Sequence, residues 1–141
     1  MTKLYLDTEF NGFGGALMSM ALISAEGSAW YEVVDVKGPI DPWVKQHVVP
    51  LFDKAPVPLV SFKASLHMFL RQFVNPEIIC DWHADAAHFC DSLAGFDYGS
   101  SLDYACRITI LKTPPGEPKP KRPHNALSDA TALMMWAEGR V

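Results

Sequence analysis

The stretch Lys3–Asp35, KLYLDTEFNGFGGALMSMALISAEGSAWYEVVD, decides the fold. Its first run, KLYLD over Lys3–Asp7, is short, aromatic and aliphatic, and it stops at acidic and glycine-rich residues, so it reads as a β-strand with Asp7 at its carboxyl end. NGFGG at Asn11–Gly15 supplies the turn, because glycine takes positive φ without steric penalty. Two more apolar runs, Ala16–Ser24 and Ser28–Asp35, broken at Ala25–Gly27, complete an antiparallel meander of three strands.

Downstream the pattern changes. Gly38–Pro42 reads as a loop, and Trp43–Phe52 spaces apolar residues at roughly helical intervals, with Pro50 limiting it to a short helix. After the proline-rich Ala55–Pro58, Phe62, Leu66, Phe69 and Phe73 recur at helical spacing and predict an amphipathic helix over Ser61–Val74, with Leu70 also on its core side. EIICD at Glu77–Asp81 reads as a buried strand, followed by a helix over Ala84–Leu93. LDYACRITIL at Leu102–Leu111 is a strand or a helix, since a short apolar run does not fix its own period. Thr113–Pro123 holds five prolines with Lys119, Lys121 and Arg122, which predicts an extended, exposed loop. Asn125 is placed to cap a last helix running to about Glu138. Early strands followed by alternating helix and strand predict an α/β layer structure on a mixed sheet. Trp30, Trp43, Trp82 and Trp136 read as packing residues.

At 141 residues and 49% apolar content the chain is the size of one domain with one core, spanning 1–141. No run approaches 18 apolar residues and the N-terminus lacks a secretory apolar region, so a soluble, cytoplasmic protein with no membrane partner is expected. Cys80, Cys90 and Cys106 show no CxxC spacing and read as reduced thiols. A net charge of -4 gives no global attraction to a polyanion, so nucleic-acid binding would need a local basic patch or bound metal.

The chemistry lies in the carboxylates. Asp7 and Glu9 form D-x-E, and side chains two apart on a strand project to the same side. Like charges converging at the end of a buried strand call for a cation, and such oxygen ligands suit Mg²⁺ or Mn²⁺. His124–Ala130, HNALSDA, is H-x4-D at a loop-to-helix junction: His124 falls on the loop and Asp129 on the first turns of the helix.

LDTEF at Leu6–Phe10 and HNALSDA at His124–Ala130, in that order and spanning nearly the whole chain, resemble the first and third motifs of the DEDDh 3′-to-5′ exonucleases. The resemblance is greatest to a compact bacterial and phage branch that includes a mycobacterial 3′-to-5′ exoribonuclease. It implies a ribonuclease-H-like three-layer fold, a mixed central sheet flanked by helices. It also implies a middle aspartate: Asp85 opens a helix followed by AAHFC, and Asp81, at a strand end, is the alternative. The residue before Asp85 is Ala84 rather than the aromatic usual in the family.

On that resemblance Asp7, Glu9, Asp85 and Asp129 hold two divalent cations, Mg²⁺ or Mn²⁺, and His124 is the general base. The partners implied are single-stranded or overhanging 3′ ends of RNA or DNA, RNA slightly favoured, with a nucleoside 5′-monophosphate as product. Related enzymes are often homodimers. Phe10, Asn11, Gly12 and Phe13 are positioned to receive the terminal nucleotide by stacking and close backbone approach, and Lys119, Lys121 and Arg122 to meet phosphates. The competing readings are a catalytically silent nucleic-acid-binding module and a metal-bound structural domain.

Overall fold

A computed structural model describes residues 1–95 and 104–140. Strands β1 (Lys3–Phe10), β2 (Leu17–Ser24) and β3 (Ala29–Val33) form the antiparallel meander expected from the sequence. β4 (Glu77–Cys80) and β5 (Arg107–Ile110) add in parallel beyond β1, which makes one mixed sheet of order β3-β2-β1-β4-β5. The ambiguous Leu102–Leu111 run is thus a strand over Arg107–Ile110, fixed by its ladder to β4, while its positions 102 and 103 lie outside the described residues.

β1 does not end at Asp7. It continues to Phe10 because β2 keeps pairing with it, Asp7 opposite Ala21 and Glu9 opposite Ser19, before the register slips to Phe10 opposite Leu17. β4, by contrast, pairs only with Lys3–Tyr5. Beyond Tyr5, β1 therefore has a strand on one flank only among the described residues, and its open flank is where the acidic residues lie.

Helix α1 (Pro42–His47) starts on Asp41, whose carboxylate accepts from Trp43 N and Val44 N. It is shorter than the predicted Trp43–Phe52 and gives way to a single 3₁₀ turn, Val49–Leu51, at Pro50, which has no N–H to continue the ladder. α2 (Leu59–Leu70) ends before the predicted Val74: Asn75 precedes Pro76, which disfavours helical backbone, and sits at φ 47°. α3 (His83–Ser92) and α4 (Ala126–Ala137) lie close to their expected positions, and Asn125 caps α4 by accepting from Ser128 N.

Alternation along β1 divides the core. Leu4 and Leu6, with Met20, Leu22 and Ile78, pack on Phe62 and Leu66 of α2 and Phe89 of α3. Tyr5 faces the other way, with Ala21, Ile23 and Ile79, against Ala126, Ala130, Leu133 and Met134 of α4. Helices thus cover both faces, and burial of each large apolar side chain contributes about 1.5–3 kcal/mol. No helix among the described residues is long and apolar enough to cross a membrane.

Candidate metal centre and cleft

Asp7 and Glu9 leave β1 on the α4 side, where Asp129 comes up from the first turn of α4; one carboxylate oxygen from each lies within 4.8 Å of the others. A second group, Asp7, Asp81 and Asp85, meets the same limit of 4.8 Å. Asp7 is the corner common to both. Asp81 follows the end of β4 and Asp85 sits in the first turn of α3, so the chain delivers both middle candidates to the same place.

Asp85 is buried and held from β1. Thr8 points to the face opposite Asp7 and Glu9, and its Oγ1 and N donate to Asp85 Oδ1 at 2.6 and 3.2 Å. Hydrogen bonds to a charged acceptor are shorter and stronger than neutral ones, so this pair orients the carboxylate.

The electrostatics are those of too much negative charge in too little water. Burial, then Asp85, Asp129, Glu9 and Asp81 in turn, push the Asp7 carboxyl well above the usual range. Glu9 is raised to about 9 by burial and by the adjacent Asp129, with which it shares a hydrogen bond. Asp85 is raised to about 7 by burial, its bonds from Thr8 opposing the shift. Asp129 and Asp81 are raised by burial as well, Asp129 less for the neighbouring His124. Asp7 Oδ2 is buried with no hydrogen-bond partner among the described residues. A buried, unpaired carboxylate oxygen is costly unless a cation meets it.

Above the carboxylates opens a cleft of about 430 Å³ lined by Asp7, Thr8, Glu9, Asp81 and Asp85, with His124 at its rim. His124 is exposed, stands at φ 70° at the turn into α4, and meets the Trp43 ring edge to face at 5.4 Å between centroids. The neighbouring His124 favours the charged form of the Asp129 carboxyl, against the effect of burial. Comparison with protein-family models and with curated proteins finds no match.

Of the residues expected to bind substrate, Phe10, Gly12 and Phe13 line the cleft. Asn11 does not: its side chain donates to Pro39 O and accepts from Asp41 N, pinning the turn after β1 to the start of α1. Lys119 and Lys121 line a separate groove of about 570 Å³ against α4, and Arg122 is paired with Asp53. The three basic residues are therefore not brought to the cleft, because the Arg122 N–H bonds Ser128 Oγ and turns the loop toward α4.

The tryptophans divide. Trp30 is buried and donates to Ser65, a packing residue as expected. Trp43 and Trp82 are 54% and 41% exposed and both line the cleft, Trp82 beside Phe10 and Phe13, the latter 86% exposed. Their packing assignment is thus corrected. A usable signal was their position, each immediately beside the start of a helix, where a large ring has little core to enter.

Proposed function

We propose that the chain is a divalent-metal-dependent 3′-to-5′ exonuclease on a ribonuclease-H-like scaffold, acting on unpaired 3′ ends and releasing nucleoside 5′-monophosphates. The observation that carries it is Asp7, whose buried and unpartnered Oδ2 stands where two carboxylate triplets meet beneath an open, aromatic-walled cleft. The donor set fits hard cations: oxygen atoms only, from Asp7, Glu9 and Asp129 on one side and Asp7, Asp81 and Asp85 on the other. The α/β architecture with a mixed sheet between helices is compatible with that scaffold.

Bound Mg²⁺ or Mn²⁺ would supply the positive charge this cluster lacks, polarising the phosphate and lowering the pKa of a water. The protein's own groups then do the rest. Thr8 holds Asp85 in one orientation. The His124 imidazole takes the proton of the attacking water and, being exposed, passes it to solvent. The P–O3′ bond breaks, the leaving 3′-oxygen takes a proton from solvent in the open cleft, and the shortened strand ends in a 3′-hydroxyl. Trp43, Phe13 and Trp82, all lining the cleft, offer faces for unstacked bases, each contact contributing about 1–3 kcal/mol without regard to sequence. A duplex end cannot present its base to such walls without fraying, which favours single strands.

The test uses 5′-labelled and 3′-labelled RNA and DNA oligonucleotides with Mg²⁺, Mn²⁺ or EDTA. Stepwise loss from the 3′ end, abolished by chelation and by Asp129→Ala, is the expected outcome, with RNA somewhat preferred. Retention of oligonucleotide without shortening in every metal would favour a binding module, and no binding at all a structural cluster.

A further inference from the structure

His124 follows a segment that contributes little hydrogen bonding to the fold. Among the described residues, no hydrogen bond runs from positions 112–121 to the rest of the protein; the one recorded there, Glu117 N to Pro114 O, is internal. The first tie is Arg122, two residues before His124. Its guanidinium Nη2 lies 2.7 Å from Asp53 Oδ1, and its N–H bonds Ser128 Oγ at 2.8 Å. Asn125 then fixes the far side, donating to Leu51 O at 2.8 Å.

Asp53 is itself held firmly from both neighbours. Phe52 is buried and its carbonyl accepts from Tyr31 OH at 2.8 Å, while Lys54 Nζ reaches Tyr31 O and Glu32 Oε1, both at 3.0 Å. Both Asp53 and His124 occupy left-handed backbone, at φ 61° and 70°, a conformation that non-glycine residues keep where the surroundings enforce it. Through Tyr31 and Glu32, therefore, β3 anchors Asp53, and Asp53 anchors Arg122 at the end of that segment.

We propose that the Asp53–Arg122 ion pair is a latch that sets the position of His124 over the carboxylate cleft, making Asp53 and Arg122 positioning residues rather than phosphate contacts. The catalytic side of this rests on the exonuclease reading; the structural side does not. Both partners are about half exposed, so the pair adds little to global stability, and the variants remain folded. Its effect falls on how often His124 is in place.

The variants are Asp53→Gly, which removes the carboxylate and accepts positive φ without strain, Arg122→Ala, their combination, and the charge swap D53R/R122D. In the nuclease assay each single variant is expected to lower kcat about three- to fivefold with KM unchanged, the combination no further, and the swap to recover part of the loss. In metal-free protein, the His124 imidazole NMR signals should move in D53G toward those of a free histidine, because the ring leaves the Trp43 face. Unmoved signals in D53G would overturn the latch. So would a raised KM in R122A together with a lowered KM in D53G, the pattern of an arginine released to bind phosphate. If the wild-type protein cleaves nothing, the exonuclease reading fails, and the NMR result still decides the latch by itself.

Discussion

Asp7→Asn is expected to make the metal-free protein more stable and, at the same time, indifferent to divalent ions. Asp7 is shared by two carboxylate groups whose ligand oxygens lie within 4.8 Å. At an effective dielectric of about 20, two full charges 4.8 Å apart repel by roughly 3.5 kcal/mol, and Asp7 faces four such neighbours. At pH 8 the proton held by Glu9 relieves part of this, so removing the Asp7 carboxyl should yield a net gain on the order of 2 kcal/mol. The asparagine amide also gains acceptors among the remaining carboxylates. For a chain of this size about 1 kcal/mol shifts Tm by some 3 °C, so the variant should melt about 6 °C above wild type in EDTA. With Mg²⁺ at a hundred times its Kd, wild type gains about 2.7 kcal/mol, close to 8 °C, and the variant next to nothing. Thermal melts followed by circular dichroism, with and without metal, measure both numbers. A variant that melts lower than wild type in EDTA, or that keeps the Mg²⁺-induced rise, would refute the idea that Asp7 is a strained carboxylate awaiting a cation.

The same charges predict a pH dependence. Glu9 and Asp85 titrate at about 9 and about 7 in the folded chain, above their unfolded values, so the folded state binds more protons and metal-free stability should fall as pH rises from about 4 to 9. Tm measured across that range in EDTA should slope downward, and saturating Mg²⁺ should flatten the slope. Thr8→Val keeps the shape of the side chain but deletes the 2.6 Å bond to Asp85, so Mg²⁺ should stabilise it only at concentrations at least tenfold higher, read from metal titrations of Tm. Trp43→Ala and Trp82→Ala should each raise KM on single strands about tenfold while leaving the Mg²⁺-induced rise in Tm intact, which kinetics on a short oligonucleotide would check.

Local rules made much of this legible. Strand alternation places Asp7 and Glu9 on one side, and Asn125 announces the start of α4, so three of the four expected ligands and His124 could be named and approximately placed. Long-range facts could not. Thr8 and Asp85 are 77 positions apart, Arg122 and Asp53 69, and no local pattern pairs them. Asp85 was preferred to Asp81, yet a strand end and the first turn of the next helix lie close together, so both carboxylates arrive beside Asp7. The extra length of β1 likewise depended on a ladder with β2, which Glu9 and Phe10 do not advertise on their own.

The placement of the acidic cluster follows from where the sheet changes character. β1 is the seam, antiparallel to β2 on one flank and parallel to β4 on the other, and β4 stops pairing at Tyr5. Past that point no strand among the described residues pairs with that flank of β1, so Thr8 N bonds a side chain, and α3 brings Asp85 in to receive it. α4 crosses the opposite face and adds Asp129. Three layers therefore each contribute to one small volume, while the apolar clusters behind it supply the stability that the crowded charge removes. An acidic surface patch would relax by spreading its side chains into water. Here Thr8, the sheet and two helices prevent that, so the repulsion persists until a cation or a proton relieves it, and the Asp7→Asn and Thr8→Val melts separate those two remedies.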